Sequence, residues 1–217
     1  MFNQYSHTST ARFSRSPSGA EENLKNLLLF FFSFSPKISE LGKAKTMKHS
    51  IHTTQLPDVM SMRRTPERLK LVVKKQIEET LRNNIIRPST SPFACPILLV
   101  AKKEEGQMRF CVDYRPLNNV TVKDRYPISN IQLIIDSLHG AEYFSTLDLL
   151  SGYWQIEIEE KHKYKTAFIC EYGLYEFNCM PFGLCNAPST TFQREMNTLF
   201  KDVLYEFVPV YNLFTGY

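Results

Sequence analysis

The sequence predicts an α+β fold, and three observations carry that prediction. Some segments repeat their apolar residues at helical spacing, while others alternate with the period of a half-buried strand. Two glycines, Gly106 and Gly173, each sit between strand-like runs, as in hairpins. Strands and helices mix along the chain without regular β-α-β alternation, which disfavours a doubly wound sheet. The composition agrees: of 217 residues, 43% are hydrophobic and 22% charged, as in a globular protein.

The elements follow in order. Residues 1–20 are rich in Ser, Thr and Arg without apolar period, so residues 1–37 are expected to form a disordered or unrelated leader. Within it, Leu27 to Phe34 is apolar. As a helix it would rise only about 12 Å, against a hydrocarbon core of about 30 Å. Its flanks also fail as a secretory signal. No membrane role is expected. Residues 38–64 are expected to be a linker. Thr65-Pro66-Glu67 reads as a helix start, with Thr65 as N-cap. Leu69, Val73, Ile77 and Leu81 then mark a buried stripe, and Asn83-Asn84 a left-handed stop. From Arg63 to Arg87 eight basic residues face three acids. That face suits a phosphate backbone, and a merely solvated face is the competing reading.

Pro96–Lys103 and Gln107–Asp113 are expected to pair as a hairpin. Ile131, Ile134, Ile135 and Leu138 predict a short helix, and Tyr143–Leu149 a strand. Trp154–Ile158 alternates like another strand. Lys165–Glu171 and Leu174–Met180 form the second hairpin. A last helix begins at Asn186-Ala187-Pro188 and turns Phe192, Met196, Leu199 and Val203 to one side; a final strand covers Glu206–Tyr211.

Charge and cysteines exclude several classes. A net charge of +4 is compatible with nucleic acid but too small to argue for it alone. Five cysteines without a C-x-x-C pair disfavour a disulfide framework or zinc knuckle, and a reducing compartment is expected. The chain is thus expected inside the cell, cytoplasmic or nuclear. The five histidines make no metal-ligand spacing. There is no P-loop, nucleophile elbow or Rossmann fingerprint.

Three stretches can carry chemistry. In Phe144–Gln155 an apolar strand ends in one carboxylate, Asp148, followed by a small turn through Ser151 and Gly152 and an aromatic, Tyr153. Asp148 offers a hard oxygen to Mg²⁺, and the turn amides suit phosphate oxygens; a plain turn cap is the alternative. In Met108–Asn118, alternation puts Arg109, Cys111 and Asp113 on one face, with Lys102 and Lys103 across the hairpin. Such a pair suits a polyphosphate, or is simply solvated. In Met180–Pro188 a Pro/Gly loop enters a helix; it either packs beneath a base or merely connects.

Taken together, VDYRPLN, YFSTLDLLSGYWQI, YKTAF and YEFNCMPFGLCNAPS resemble the reverse transcriptase of gypsy-like LTR retrotransposons. The resemblance runs from about Gly42 to Tyr211. It implies a right-hand polymerase fold over 65–211, with fingers at about 65–123 and 156–186 and palm at about 124–155 and 187–211. Residues 212–217 are a divergent tail.

The resemblance also implies roles. Asp148 would be the first metal-binding aspartate, with the Leu149 carbonyl beside it, for Mg²⁺ or Mn²⁺ in a two-metal reaction. Lys103 and Arg109 would clamp the triphosphate of a dNTP. Tyr153 would be the steric gate against a ribose 2′-hydroxyl. Ser151, Gly152, Phe182 and Gly183 would line the nucleotide site, while Asp113 and Arg115 would be structural. The partners implied are an RNA/DNA template–primer and dNTP.

Two departures stand out. The family's Y-x-D-D turn is expected near Tyr211, yet no aspartate follows Asp202. The chain therefore reads as truncated before that motif, without thumb or ribonuclease H regions, and inactive alone. Ser189-Thr190-Thr191-Phe192 is one residue longer than the family's usual run.

Overall fold

A computed structural model of the chain describes residues 8–13, 38, 41–44, 46–58, 60–101, 108–127, 130–140, 143–149 and 151–201. For 8–13, 131, 143–148 and 188–189 it describes the backbone alone. The Leu27–Phe34 run, Lys102 and Lys103, the Glu104–Gly106 loop and everything after Lys201 lie outside the described residues. Contacts divide the chain into two compact units. One comprises Met1–Met47, Asp124–Ile156 and Pro188–Tyr217, the other Lys48–Lys123 and Glu157–Ala187.

The second unit is built on a five-stranded sheet. Its strands are β2 (Ile86–Pro88), β3 (Cys95–Ala101), β4 (Met108–Val112), β6 (Phe168–Cys170) and β7 (Gly173–Phe177), in the order β2-β7-β6-β3-β4. β3 and β4 form the expected first hairpin, in register from Ile97 opposite Val112 to Ala101 opposite Met108. β6 and β7 form the second, around Gly173 at φ 135°. The two hairpins join where β3 runs parallel to β6. Phe168 sits fully buried at that junction, with the rings of Phe110, Tyr175 and Phe177 between 5.3 and 5.8 Å away.

Helix α1 (Glu67–Arg82) buries Val73 and Ile77. Leu69 and Leu81, at the ends of the stripe, are only half-buried. The helix stops as expected, at Asn84 with φ 55°. Its start differs. Pro66 occupies the N-cap and makes no side-chain cap bond. Thr65 is buried instead, and its amide donates to the Glu171 carboxylate at 3.3 Å.

The stretch read as a linker carries part of this unit's core. His49 and Ile51 are buried. His49 bridges to Ile158, and Thr53 to Thr121. Lys165, buried in a 3₁₀ turn at Tyr164–Thr166, donates to the Ile51 carbonyl at 2.7 Å and to Thr53 Oγ1 at 3.1 Å. Polar backbone groups of a buried strap need such partners. Helix α2 (Arg115–Val120) and the single turn α4 (Glu160–Lys163) flank the strap.

The first unit holds helix α3 (Ile131–Ser137), strand β5 (Tyr143–Asp148) and helix α5 (Gln193–Leu199). Asn130 caps α3 by accepting from the Gln132 amide at 2.9 Å. Ile134 is buried there, whereas Leu133 and Ile135 are exposed. Phe192, Met196 and Leu199 are buried, as their spacing predicts; Val203 is not among the described residues. Thr8–Phe13, inside the stretch read as a disordered or unrelated leader, forms strand β1, antiparallel to β5 with Thr8 opposite Asp148 and Phe13 opposite Tyr143. A strand edge offers a row of backbone partners that even a polar segment can satisfy. Trp154–Ile158 is not a strand. Gly152–Gln155 coils into a 3₁₀ turn because Ser151, at φ 47°, reverses the chain just before it.

Ala187–Phe192 forms a π turn leading into α5. A π turn takes one more residue than an α turn.

Candidate active site

In the first unit, Asp148 is the last residue of β5, and its side chain is not among those described. Leu149 is buried directly after it. The turn that follows is tightly built. Ser151 is buried in the left-handed region, which is uncommon for a residue with a Cβ. Its carbonyl accepts from the Trp154 amide at 2.8 Å. A Cβ added to Gly152 would lie 2.9 Å from Phe192 Cε2, so only glycine fits beneath that ring. Tyr153 stands edge-on to Phe192, with centroids 5.3 Å apart and planes at 65°. Burial pushes the Tyr153 phenol well above its ordinary pKa. The turn and Phe192 thus form one packed block, and Ser151, Gly152 and Tyr153 come together as a group.

Beneath this block α5 buries two further polar residues, Gln193 and Glu195. Burial raises the pKa of the Glu195 carboxyl, and the Thr46 side chain opposes this.

In the second unit, Arg109 lies on β4 opposite Val100 and is half-buried. Lys103, its expected companion, falls outside the described residues. Asp113 is buried and accepts from Arg115 Nε at 2.7 Å, Arg115 Nη2 at 2.6 Å and Arg63 Nη2 at 3.0 Å. The Arg115 hydrogen bonds hold its carboxyl below the usual range, and Arg63 assists. That forked pairing is the structural use expected of Asp113 and Arg115.

Gly183, at φ 93°, tops the Pro181–Asn186 loop. A Cβ there would meet Tyr114 Cδ2 at 3.5 Å and the Val112 carbonyl at 3.8 Å. The Tyr114 hydroxyl donates to the Thr166 carbonyl at 2.9 Å, fixing the ring below the loop. Asn118 Nδ2 donates to the Gly183 carbonyl at 2.7 Å, and its Oδ1 accepts from the Cys185 amide at 2.9 Å.

Phe192 and Asn118 were not singled out from the sequence for these contacts. Phe192 was legible only as one apolar position of a helix face. Asn118 lay inside a quoted motif, but nothing local says that its amide reaches a loop 65 positions away. Among the described residues, no group of three or more His, Cys, Asp or Glu side chains could hold a metal ion. Nor, among the described residues, is any helix long and apolar enough to cross a membrane.

Residues 100–215, more than half of the chain, match the family model described as reverse transcriptase (RNA-dependent DNA polymerase). The chain belongs to the reverse transcriptase family. It is 41% identical over 201 residues to the Retrovirus-related Pol polyprotein from transposon opus of Drosophila melanogaster, covering 90% of this chain and 20% of that protein. It is 40% identical over 144 residues to the corresponding polyprotein from transposon gypsy of the same organism, covering 64% of this chain and 14% of that one. Spanning about a fifth or less of these relatives, the chain matches one domain's worth of a much longer protein. Its fold resembles the crystal structure of prototype foamy virus protease–reverse transcriptase, with a TM-score of 0.68 at 21% identity. That match covers 92% of this chain and 28% of the other. The mixed α+β architecture is therefore that of a reverse transcriptase. The reverse transcriptase family is generally dependent on divalent metal.

Proposed function

We propose that residues 65–211 are the fingers and part of the palm of an RNA-directed DNA polymerase, whose domain-level task is template-directed addition of dNTPs. The observation that carries this is the packed block after β5. A strand ends in a carboxylate residue, and a crowded glycine then sets an aromatic ring, Tyr153, against Phe192. A gate must hold its ring still to discriminate by collision, and this one is held from beneath. The breaks between units at 123/124, 156/157 and 187/188 support the division into fingers and palm.

In this reading Arg109 and Lys103 meet the triphosphate, and Phe182 and Gly183 lie beside the incoming nucleotide. Ser151, Gly152 and Tyr153 shape the sugar pocket, and Asp148 with the Leu149 carbonyl faces divalent metal. The donor set of the chain does not fit a pair of such ions. It supplies one aspartate at that position, and no aspartate follows Asp202. Two dications held by one carboxylate would repel each other without compensation. The 217 residues by themselves are therefore expected to bind template–primer without extending it.

The test is an RNA template with a labelled DNA primer, dNTPs and Mg²⁺ or Mn²⁺. Binding is read by fluorescence anisotropy and extension on a gel. Binding without extension is the expected pair of results. Failure to bind at low salt overturns the polymerase-domain reading. Incorporation above that of Asp148→Ala overturns the statement that one carboxylate is insufficient.

A further inference from the structure

We infer that Asn118 is the positioning residue of the Pro181–Asn186 loop: its side-chain amide clamps both limbs of the Gly183 turn and so sets where Phe182 and Gly183 meet a bound nucleotide. This rests on the reading that the loop lies beside the incoming dNTP.

The turn at Gly183 takes a left-handed φ of 93°. An amide side chain carries a donor and an acceptor on separate atoms, so it can bridge the two limbs of such a turn. Asn118 does both, with Nδ2 on the Gly183 carbonyl at 2.7 Å and Oδ1 on the Cys185 amide at 2.9 Å. The clamp stands on firm ground. Asn118 sits on α2, whose amide N–H groups are anchored through Asn118 N to the Tyr114 carbonyl at 2.8 Å. Tyr114, buried and tied to Thr166, props the glycine from below. A second amide, Asn186 Nδ2, donates to the Val122 carbonyl at 2.8 Å and fixes the far end of the loop. Gly183 itself is exposed, so the clamp presents a rigid turn to whatever binds there. Preorganisation of this kind removes the ordering cost that a mobile loop would impose on its ligand.

The chemistry of the clamp suggests two variants. Asn118→Asp keeps an acceptor for the Cys185 amide and loses the donor to Gly183. Asn118→Ala loses both bonds. Asn118 is half-buried, so both variants are expected to melt within about 4 °C of the parent chain. Amide exchange of Cys185 is expected to quicken about two- to tenfold in Asn118→Ala and to stay near parental in Asn118→Asp.

The parent chain, ¹⁵N-labelled and bound to an RNA/DNA template–primer, is then titrated with the complementary dNTP and Mg²⁺, following the resonances of Phe182, Gly183 and Leu184. Those resonances are expected to shift in the parent, with nucleotide affinity about two- to tenfold weaker in both variants. Unchanged Cys185 exchange in Asn118→Ala overturns the clamp. The expected exchange pattern with undiminished nucleotide affinity overturns the positioning role alone. No response to nucleotide in the parent, alongside the expected exchange pattern, overturns the nucleotide reading of the loop while leaving the clamp in place.

Discussion

At the residue scale the tightest constraint is Gly152. A Cβ there would come within 2.9 Å of Phe192 Cε2, and Phe192 is itself buried and stands edge-on to Tyr153. Gly152→Ala is therefore expected to cost about 1–3 kcal/mol, the usual range for overpacking. That is a fall of several degrees in Tm for a domain of this size. The extra Phe192→Leu substitution removes the offending ring atoms and is expected to recover part of the loss. A double-mutant cycle by thermal denaturation checks this. Additive losses would mean that the two residues do not share the contact. Sequence reading placed a glycine and an aromatic in the turn. It did not place Phe192 beneath them, because side-chain contacts between distant segments leave no local signature. Ser151 shows the same limit: a serine at φ 47° has no composition cue.

At the element scale, periodicity was most reliable where burial follows one face. Val73 and Ile77 of α1, the β3–β4 and β6–β7 hairpins, and Phe192, Met196 and Leu199 all lie where their spacing predicts. It failed where tertiary partners override local preference. The strap His49–Thr54 has no apolar period, yet it is pinned by backbone and side-chain bonds to 120–122 and 157–165. Its titratable core gives a pH prediction. His49 is 1% exposed, and burial, followed by the proximity of His162, lowers its pKa to about 4, with Glu159 opposing. Its ordinary value is 6.5. Between those values the unfolded chain holds a proton that the folded chain refuses, so stability is full above pH 6.5 and falls as pH drops toward 4. The loss at pH 5 relative to pH 7.5 is about 2 kcal/mol from this group. His162 adds in the same direction: burial chiefly lowers its pKa, with Lys165, His52 and Lys161 assisting and Glu159 opposing, and its Nδ1 accepts from the Ile51 amide at 3.2 Å. Glu159, held down to about 2 by Ser50 and Lys161, begins to lose its contribution only below its ordinary 4.5. Urea denaturation from pH 7.5 to 5 measures the slope. In His49→Gln that slope is expected to flatten, and an unchanged slope would exclude His49 as its source.

At the scale of the whole molecule, family and fold class were legible because motif order survives in sequence. The packing that gives the motifs their geometry did not show there. The modest charge of +4 is a case in point. Around α1 the structure separates cations that are already engaged from those that are not. Arg63 pairs with Asp113, Lys70 with Glu67, Lys74 with Glu78, and Arg87 with Glu160 and Glu176. Arg68, Lys75 and Arg82 make no ion pair among the described residues, and seven-residue spacing lays them along one side of the helix. If that stripe meets a nucleic-acid backbone, each contact releases condensed counterions, and log K falls with log salt in proportion to the phosphates neutralised. For three such contacts the contribution to the slope is about −2 to −3, whether the strand is single or double. Replacing Arg68, Lys75 and Arg82 together by Ala is therefore expected to weaken template–primer binding at low salt and to reduce the slope by that amount. Anisotropy titrations at several KCl concentrations measure both. A parallel line, shifted or not, would mean that the stripe is only a solvated face and that the nucleic acid binds elsewhere on the chain.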